Sequence, residues 1–318
     1  MQHSDALVSI GLPVFNAGED LEGVVKSVLE QDHENLELVI CDNASTDNTE
    51  DVCRALAAQD RRIVYHRNAT NVGLLNNFVG AMRLAKGTYF RWIGDDDWLD
   101  PRYVSRCLDA FAEDDRLILV TTQIEYTGPD GVTQTAPYNG TALRSDDPVT
   151  RLRELLRLLN EGHLMMDTCY GVFRRERVIH IKRRNMVNDD QVYSAKLALA
   201  GPWGHVSEVL ARRNWTYVSK PDLARKLGVS RLQARFPNEA QCLETARYLS
   251  ECDLDWQQRN RARMAVVRLY TRRRQNTVIR RSGRLVAAAQ RLAGHGAHSQ
   301  ESSAAAAPAA VSVGAHSS

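Results

Sequence analysis

Near the end of the first hundred residues the run Thr88-Tyr89-Phe90-Arg91-Trp92-Ile93 closes on Gly94-Asp95-Asp96-Asp97-Trp98. The run is rich in β-formers, so the three acids emerge where a strand gives way to a loop. Adjacent carboxylates repel one another and are costly to hold together unless a cation or hydrogen-bond donors compensate. A hard divalent metal carrying phosphate oxygens is the usual compensation. A solvated acidic turn, or an N-cap ahead of Pro101, is the alternative for a triple Asp taken alone.

The elements upstream decide between the two. Val8-Ser9-Ile10-Gly11-Leu12-Pro13-Val14 reads as a buried strand, and Leu21, Val24, Val25, Val28 and Leu29 recur at helical spacing after it. Leu36 to Cys41 is a second buried strand, broken by Asp42-Asn43-Ala44-Ser45, with Thr46 or Asp47 placed to cap the next helix. A third strand is expected near Arg62 to His66 and a helix near Asn76 to Leu84. Strand and helix in alternation predict a parallel sheet with right-handed crossovers. Ligands bind such sheets beyond the strand ends, where the acids and amides of this chain collect.

Five segments in order, VSIGLPVFNAGEDLEGVVKSVLEQ, VICDNASTDNT, NVGLLNNF, AKGTYFRWIGDDDWLDP and NDDQVYSAKLAL, make the chain resemble the inverting glycosyltransferases of family 2, over about residues 7–215. The resemblance implies a GT-A fold: a Rossmann-like α/β domain, its sheet mostly parallel and flanked by helices. It also implies a nucleotide diphosphate sugar donor, with UDP as the leading nucleotide. Pro13, Phe15, Asn16, Asp42 and Asn43 are then expected to line the base and ribose pocket, with Asn71, Gly73 and Asn77 in a nearby loop. Asp95 and Asp96 are expected at the donor, and Asp97, then Asp96, as ligands of Mg²⁺ or Mn²⁺. Such an ion would stabilise charge on the departing diphosphate.

An inverting transfer also needs a base for the acceptor hydroxyl. The resemblance assigns it to Asp190, with Tyr193 three residues on and Lys196 six; a plain helix cap is the other reading. His163, Asp167 and Tyr170 fall where relatives form the acceptor wall, and Trp203 and His205 follow the catalytic helix. Trp203 is the candidate sugar-stacking platform, although such aromatics are more often core. Arg212 and Arg213 read by default as surface ion pairs, or else as diphosphate neutralisers. The acceptor is left open among a saccharide, a lipid-linked sugar and a small molecule.

The net charge of +2 hides an asymmetry, for residues 259–291 carry eleven arginines and no acid. This basic helical stretch suits an anionic membrane surface, an acidic partner or nucleic acid, or a solvated helix packed on the domain. Peripheral membrane contact is retained as an expectation, and nucleic acid is not expected. The expected layout is a catalytic domain over 1–220 (donor half 1–120, acceptor half 121–220), a basic helical extension over 221–292 and a disordered tail over 293–318. No apolar run approaches a membrane span and no signal peptide is evident, so a cytoplasmic protein is expected. Six cysteines without a CxxC pair indicate neither zinc nor a disulfide framework. A sugar-nucleotide pyrophosphorylase would need a Gly-rich basic loop where Leu12-Pro13-Val14-Phe15-Asn16 stands, and no P-loop or GxGxxG fingerprint occurs.

Overall fold

The computed structural model of the chain describes residues 5–161, 168–214 and 218–276, together with 279 and 282. The donor half alternates strand and helix: β1 (Val8–Val14), α1 (Leu21–Leu29), β2 (Leu36–Asp42), α2 (Thr49–Gln59), β3 (Ile63–Arg67), α3 (Leu74–Leu84) and β4 (Tyr89–Trp92). Then follow β5 (Trp98–Leu99), α4 (Tyr103–Glu113), β6 (Leu119–Thr127), β7 (Thr133–Thr135), α5 (Pro148–Glu161), β8 (Val172–Arg174), α6 (Arg175–Val178), α7 (Asp189–Ala200) and β9 (Trp203–Asn214). Helices α8 (Lys220–Lys226), α9 (Arg231–Arg235) and α10 (Pro237–Glu251) close the series, and residues 256–270 are helical as well.

The strands make one sheet in the order β3-β2-β1-β4-β8-β6-β9-β5, with β7 on the edge of β6. Strands β3, β2, β1 and β4 are mutually parallel, and β8 runs antiparallel between β4 and β6. Two antiparallel steps return β6, and with it β9, to the direction of β4. The C-terminal ends of β1, β2, β4 and β9 therefore open towards the same side of the sheet, which is where the acids and amides lie.

All seven residues of β1 and all seven of β2 are buried, as expected of strands covered on both faces. Helix α1 buries Leu21, Val24, Val25 and Val28, the stripe read from their spacing. Gly87 precedes β4 because a Cβ there would stand 2.7 Å from both the Leu7 carbonyl and the Ser9 nitrogen. Asp47, not Thr46, serves the start of α2, accepting from the Thr49 amide and hydroxyl.

The compact unit runs from residue 1 to Tyr270, and residues 271–318 form a second unit whose described residues 271–276 are helical. The first unit thus continues past the boundary expected at 220. Buried Lys196 of α7 donates to Glu244 of α10 at 3.1 Å, and Leu249, Ala262, Val266 and Leu269 join the cluster that contains Trp92, Phe173 and Tyr193. Among the described residues no helix is long and apolar enough to cross a membrane. The tail expected from 293 lies outside the described residues.

Candidate active site

The donor-side strand ends are knitted by side chains. Asn43 at the end of β2 donates to Asn71 Oδ1 at 2.9 Å and accepts from the Val72 amide at 2.8 Å. Asn71 also receives the amide of Gly73, whose φ of 86° needs a residue without a Cβ. Asn16 sits at φ 53° and accepts from the Thr46 amide at 2.8 Å, while Phe15 beside it is 47 % exposed. Ala44 and Asn188 share that left-handed conformation, at φ 58° and 66°. Backbone strain therefore gathers in the loops predicted to bind ligand.

Two expected contacts here are corrected. Asp42 is wholly buried, with Oδ1 taken by the Ser45 amide and hydroxyl and Oδ2 by the Tyr65 hydroxyl at 2.8 Å. Arg67 Nε lies 3.4 Å from the same Oδ2. A carboxylate so enclosed shapes its loop and offers a ligand no surface. Asn77 is likewise buried and donates to the carbonyls of Cys41 and Val14, pinning α3 to two strand ends. Pro13 is buried within β1.

In the acidic loop the three carboxylates have different fates. Asp97 is buried; Oδ2 accepts from the Gly94 amide at 2.8 Å and Oδ1 from Arg213 Nε at 2.8 Å. The Arg213 guanidinium lies 3.5 Å over the ring of Tyr170. Asp96 is exposed and Asp95 half-buried. Burial first, and then the charge of Asp97, holds both of their carboxyls above the usual carboxylate range. Asp97, expected as the first metal ligand, is engaged by Gly94 and Arg213 in this structure, and the more accessible carboxylates are those of Asp96 and Asp95. The default reading of Arg213 is corrected too, since its side chain is only 15 % exposed; Arg212, pairing with Glu125 at 60 % exposure, is the surface pair.

The start of α7 repeats the pattern. Asp189 is buried, bound by Arg183 through Nε at 2.8 Å and Nη2 at 2.7 Å, and by the Arg184 amide at 3.0 Å. Asp190 beside it is exposed. A cavity of about 320 Å³ is lined by Asp190, Tyr170 and Arg213 together with apolar side chains that include Leu74, Leu75, Phe78, Met186, Leu223 and Leu227. A larger cavity of about 540 Å³, against α3 and residues 178–183, shares Leu75 and Arg183 but none of the predicted site residues. The residues expected to carry the chemistry therefore line the smaller one.

Tyr193 and Lys196, at the offsets expected from Asp190, point into the core. Trp203 is also a core residue, 2 % exposed with its indole N–H on the Leu197 carbonyl, so it is no sugar platform. His205 packs edge-on against Tyr138 with Nδ1 3.0 Å from the Thr121 hydroxyl, and burial pulls its pKa down to about 4. His163 and Asp167 lie outside the described residues. Sequence reasoning missed Arg183 as partner of Asp189 and Glu244 as partner of Lys196. Nothing local to either acid signals those partners.

A mostly parallel sheet with acidic and amide-rich loops at its open strand ends is the GT-A architecture. The sequence model of glycosyl transferase family 2 matches residues 9–181, and the chain belongs to that family, a class of glycosyltransferases. It is 34 % identical over 137 residues to a chondroitin synthase of Pasteurella multocida, covering 43 % of this chain and 14 % of that protein. A chondroitin synthase of Escherichia coli is 28 % identical over 207 residues, covering 65 % of this chain and 29 % of the other. The chain thus spans less than a third of the length of either relative. Among solved structures, S. aureus TarS 1–349 in complex with UDP superposes with a TM-score of 0.58 at 16 % identity, covering 82 % of this chain and 70 % of that one. A Pyrobaculum calidifontis mannosyltransferase in complex with GDP-Man and Mn²⁺ gives 0.50 at 14 % identity, covering 86 % and 87 %.

Proposed function

We propose that this glycosyltransferase moves a sugar from a nucleotide diphosphate sugar, UDP-linked, to an acceptor hydroxyl with inversion. The observation that carries the reading is the shared cavity: Asp190 and Arg213 both line it, and Arg213 also holds Asp97 of the acidic loop. Asp190 is placed to take the acceptor proton as that oxygen attacks the anomeric carbon. Arg213 and the Asn16 to Asn43 loops hold and orient the donor, and the leucine walls of the cavity exclude water from the displaced face. Saccharide, lipid-linked and small-molecule acceptors all carry the hydroxyl this requires.

The donor set suits a hard divalent ion. Asp95 and Asp96 are carboxylates pushed up by burial and by the charge of Asp97, which a cation would relieve. Among the described residues no cluster of three or more His, Cys, Asp or Glu side chains could hold a metal alone, so Mg²⁺ or Mn²⁺ would share Asp96 and Asp95 with donor phosphate oxygens. Bound there, the ion supplies Lewis-acid stabilisation of the departing diphosphate.

The test is a thermal-shift screen of UDP, GDP and dTDP with and without Mn²⁺, because a ligand of the native state alone raises stability with its affinity. A rise with UDP that grows with Mn²⁺, and disappears in Asp96→Asn, is expected. GDP or dTDP acting in place of UDP would reassign the nucleotide. No response to any of the three would remove the donor reading.

A further inference from the structure

The helix over residues 256–270 buries Ala262, Ala265, Val266 and Leu269 against the domain core. Its opposite face is not the polar surface of an ordinary solvated helix. Trp256 is 77 % exposed, Met264 55 % and Val267 50 %. At 3.6 residues per turn the three fall within roughly 80° of one another, with Asn260 between them. Arg259 and Arg263 border this stripe on one side, Arg261 and Arg268 on the other, and no acid occurs from Trp256 to Arg291. Of these, Arg261 approaches Asp147 at 3.6 Å, and Arg259 donates to the Cys252 and Leu254 carbonyls.

We propose that this face docks the protein on an anionic lipid surface, the helix lying in the interface plane with Trp256, Met264 and Val267 turned towards the acyl boundary. Single exposed apolar side chains need no explanation. An apolar stripe one helix wide, edged on both sides by arginine, is the pattern of an interfacial helix. Arginine stems lie along apolar surface while their heads reach phosphates, and an indole suits the boundary between the two. A convex single-helix stripe would need a matching groove on a protein partner. A lipid surface supplies the apolar phase and the opposite charge without one. The buried stripe of Ala262 to Leu269 keeps the helix attached to the domain, so it lies on the surface and does not span. The inference is independent of the transfer reaction and goes beyond it.

The test uses the full chain with vesicles of phosphatidylcholine, alone or with about a third phosphatidylglycerol to set a negative surface potential. Sedimentation should show binding to the anionic vesicles only, weakening with added salt. Trp256→Ser/Met264→Ser should lower that binding by about tenfold or more, because the apolar insertion is lost. Both sites are exposed, so an unchanged melting temperature will show that the fold is intact. Arg263→Gln should cost about fivefold. Equal binding to neutral and anionic vesicles, no vesicle binding, or wild-type binding by the double variant would each overturn the proposal. Self-association that the double variant abolishes, without vesicle binding, would make a second copy of the chain the occupant instead.

Discussion

The acidic loop after β4 and the first turn of α7 are built on one plan with different balances of charge. In each, one aspartate is buried on an arginine, Asp97 on Arg213 and Asp189 on Arg183, and its neighbour faces solvent. At α7 the two acids have Arg183 and a helix N-terminus, whose amides and dipole favour negative charge. At the loop three acids share one arginine, and burial first, then the charge of Asp97, pushes Asp95 and Asp96 up. The acids of α7 thus have more compensating positive charge beside them than the acids of the loop.

The sharpest way to break this comparison is to remove the buried member of each pair. With Asp97 buried on Arg213 and Asp189 on Arg183, Asp97→Asn and Asp189→Asn should each cost about 3 kcal/mol or more, because each strands a largely buried guanidinium. Urea unfolding measures this. A loss under about 0.5 kcal/mol in either would show that its pair is a surface contact.

Next in size is the exposed member. Asp190→Asn keeps shape but cannot take a proton, so turnover should fall by about a hundredfold, near 2.7 kcal/mol of barrier. Nucleotide affinity by calorimetry should stay near wild type, and the product anomer should be inverted. Near-normal turnover, or a retained anomer by proton NMR, would move the base elsewhere.

A smaller effect belongs to His205. Its folded pKa of about 4 lies below the ordinary value of 6.5, so the unfolded chain binds the proton first as pH falls. Stability from this group is full above about pH 6.5 and is lost progressively towards pH 4. Asp95 and Asp96 are raised and act in the opposite sense, so the informative quantity is a difference between proteins. His205→Gln should flatten the decline between those pH values. An unchanged slope would show that the ring is hydrated.

The smallest change expected is at Ala44, held at φ 58° between Asn43 and Ser45. Glycine removes left-handed strain of about 1–2 kcal/mol and returns part of it as unfolded-chain entropy. Ala44→Gly should therefore raise the melting temperature slightly, and a fall would mean that the Ala44 methyl group has a packing role.

The strands and helices of the donor half were legible because period and composition are local. Strands β1 and β2 are largely apolar runs, and four of the five residues read as the α1 stripe are buried, with Leu29 half-buried at its end. Which acid in each run stays open was not legible, for Asp95, Asp96 and Asp97 are chemically identical and differ only in what surrounds them. Arg213 stands 116 residues beyond Asp97, and Lys196 meets Glu244 48 residues on. Trp203 shows the same limit, since an indole offers a sugar platform or a core side chain according to where its strand lies.

The sequence alone determined the α/β alternation, the family and the neighbourhoods of the site, because these rest on periodicity and on short motifs read along the chain. Only the tertiary structure decided that Asp42 and Asn77 are scaffold, that Asp97 and Asp189 are paired and buried, and that Asp96 and Asp190 are exposed. Burial and ion pairing depend on partners brought together by folding across many tens of residues, and no local pattern encodes them.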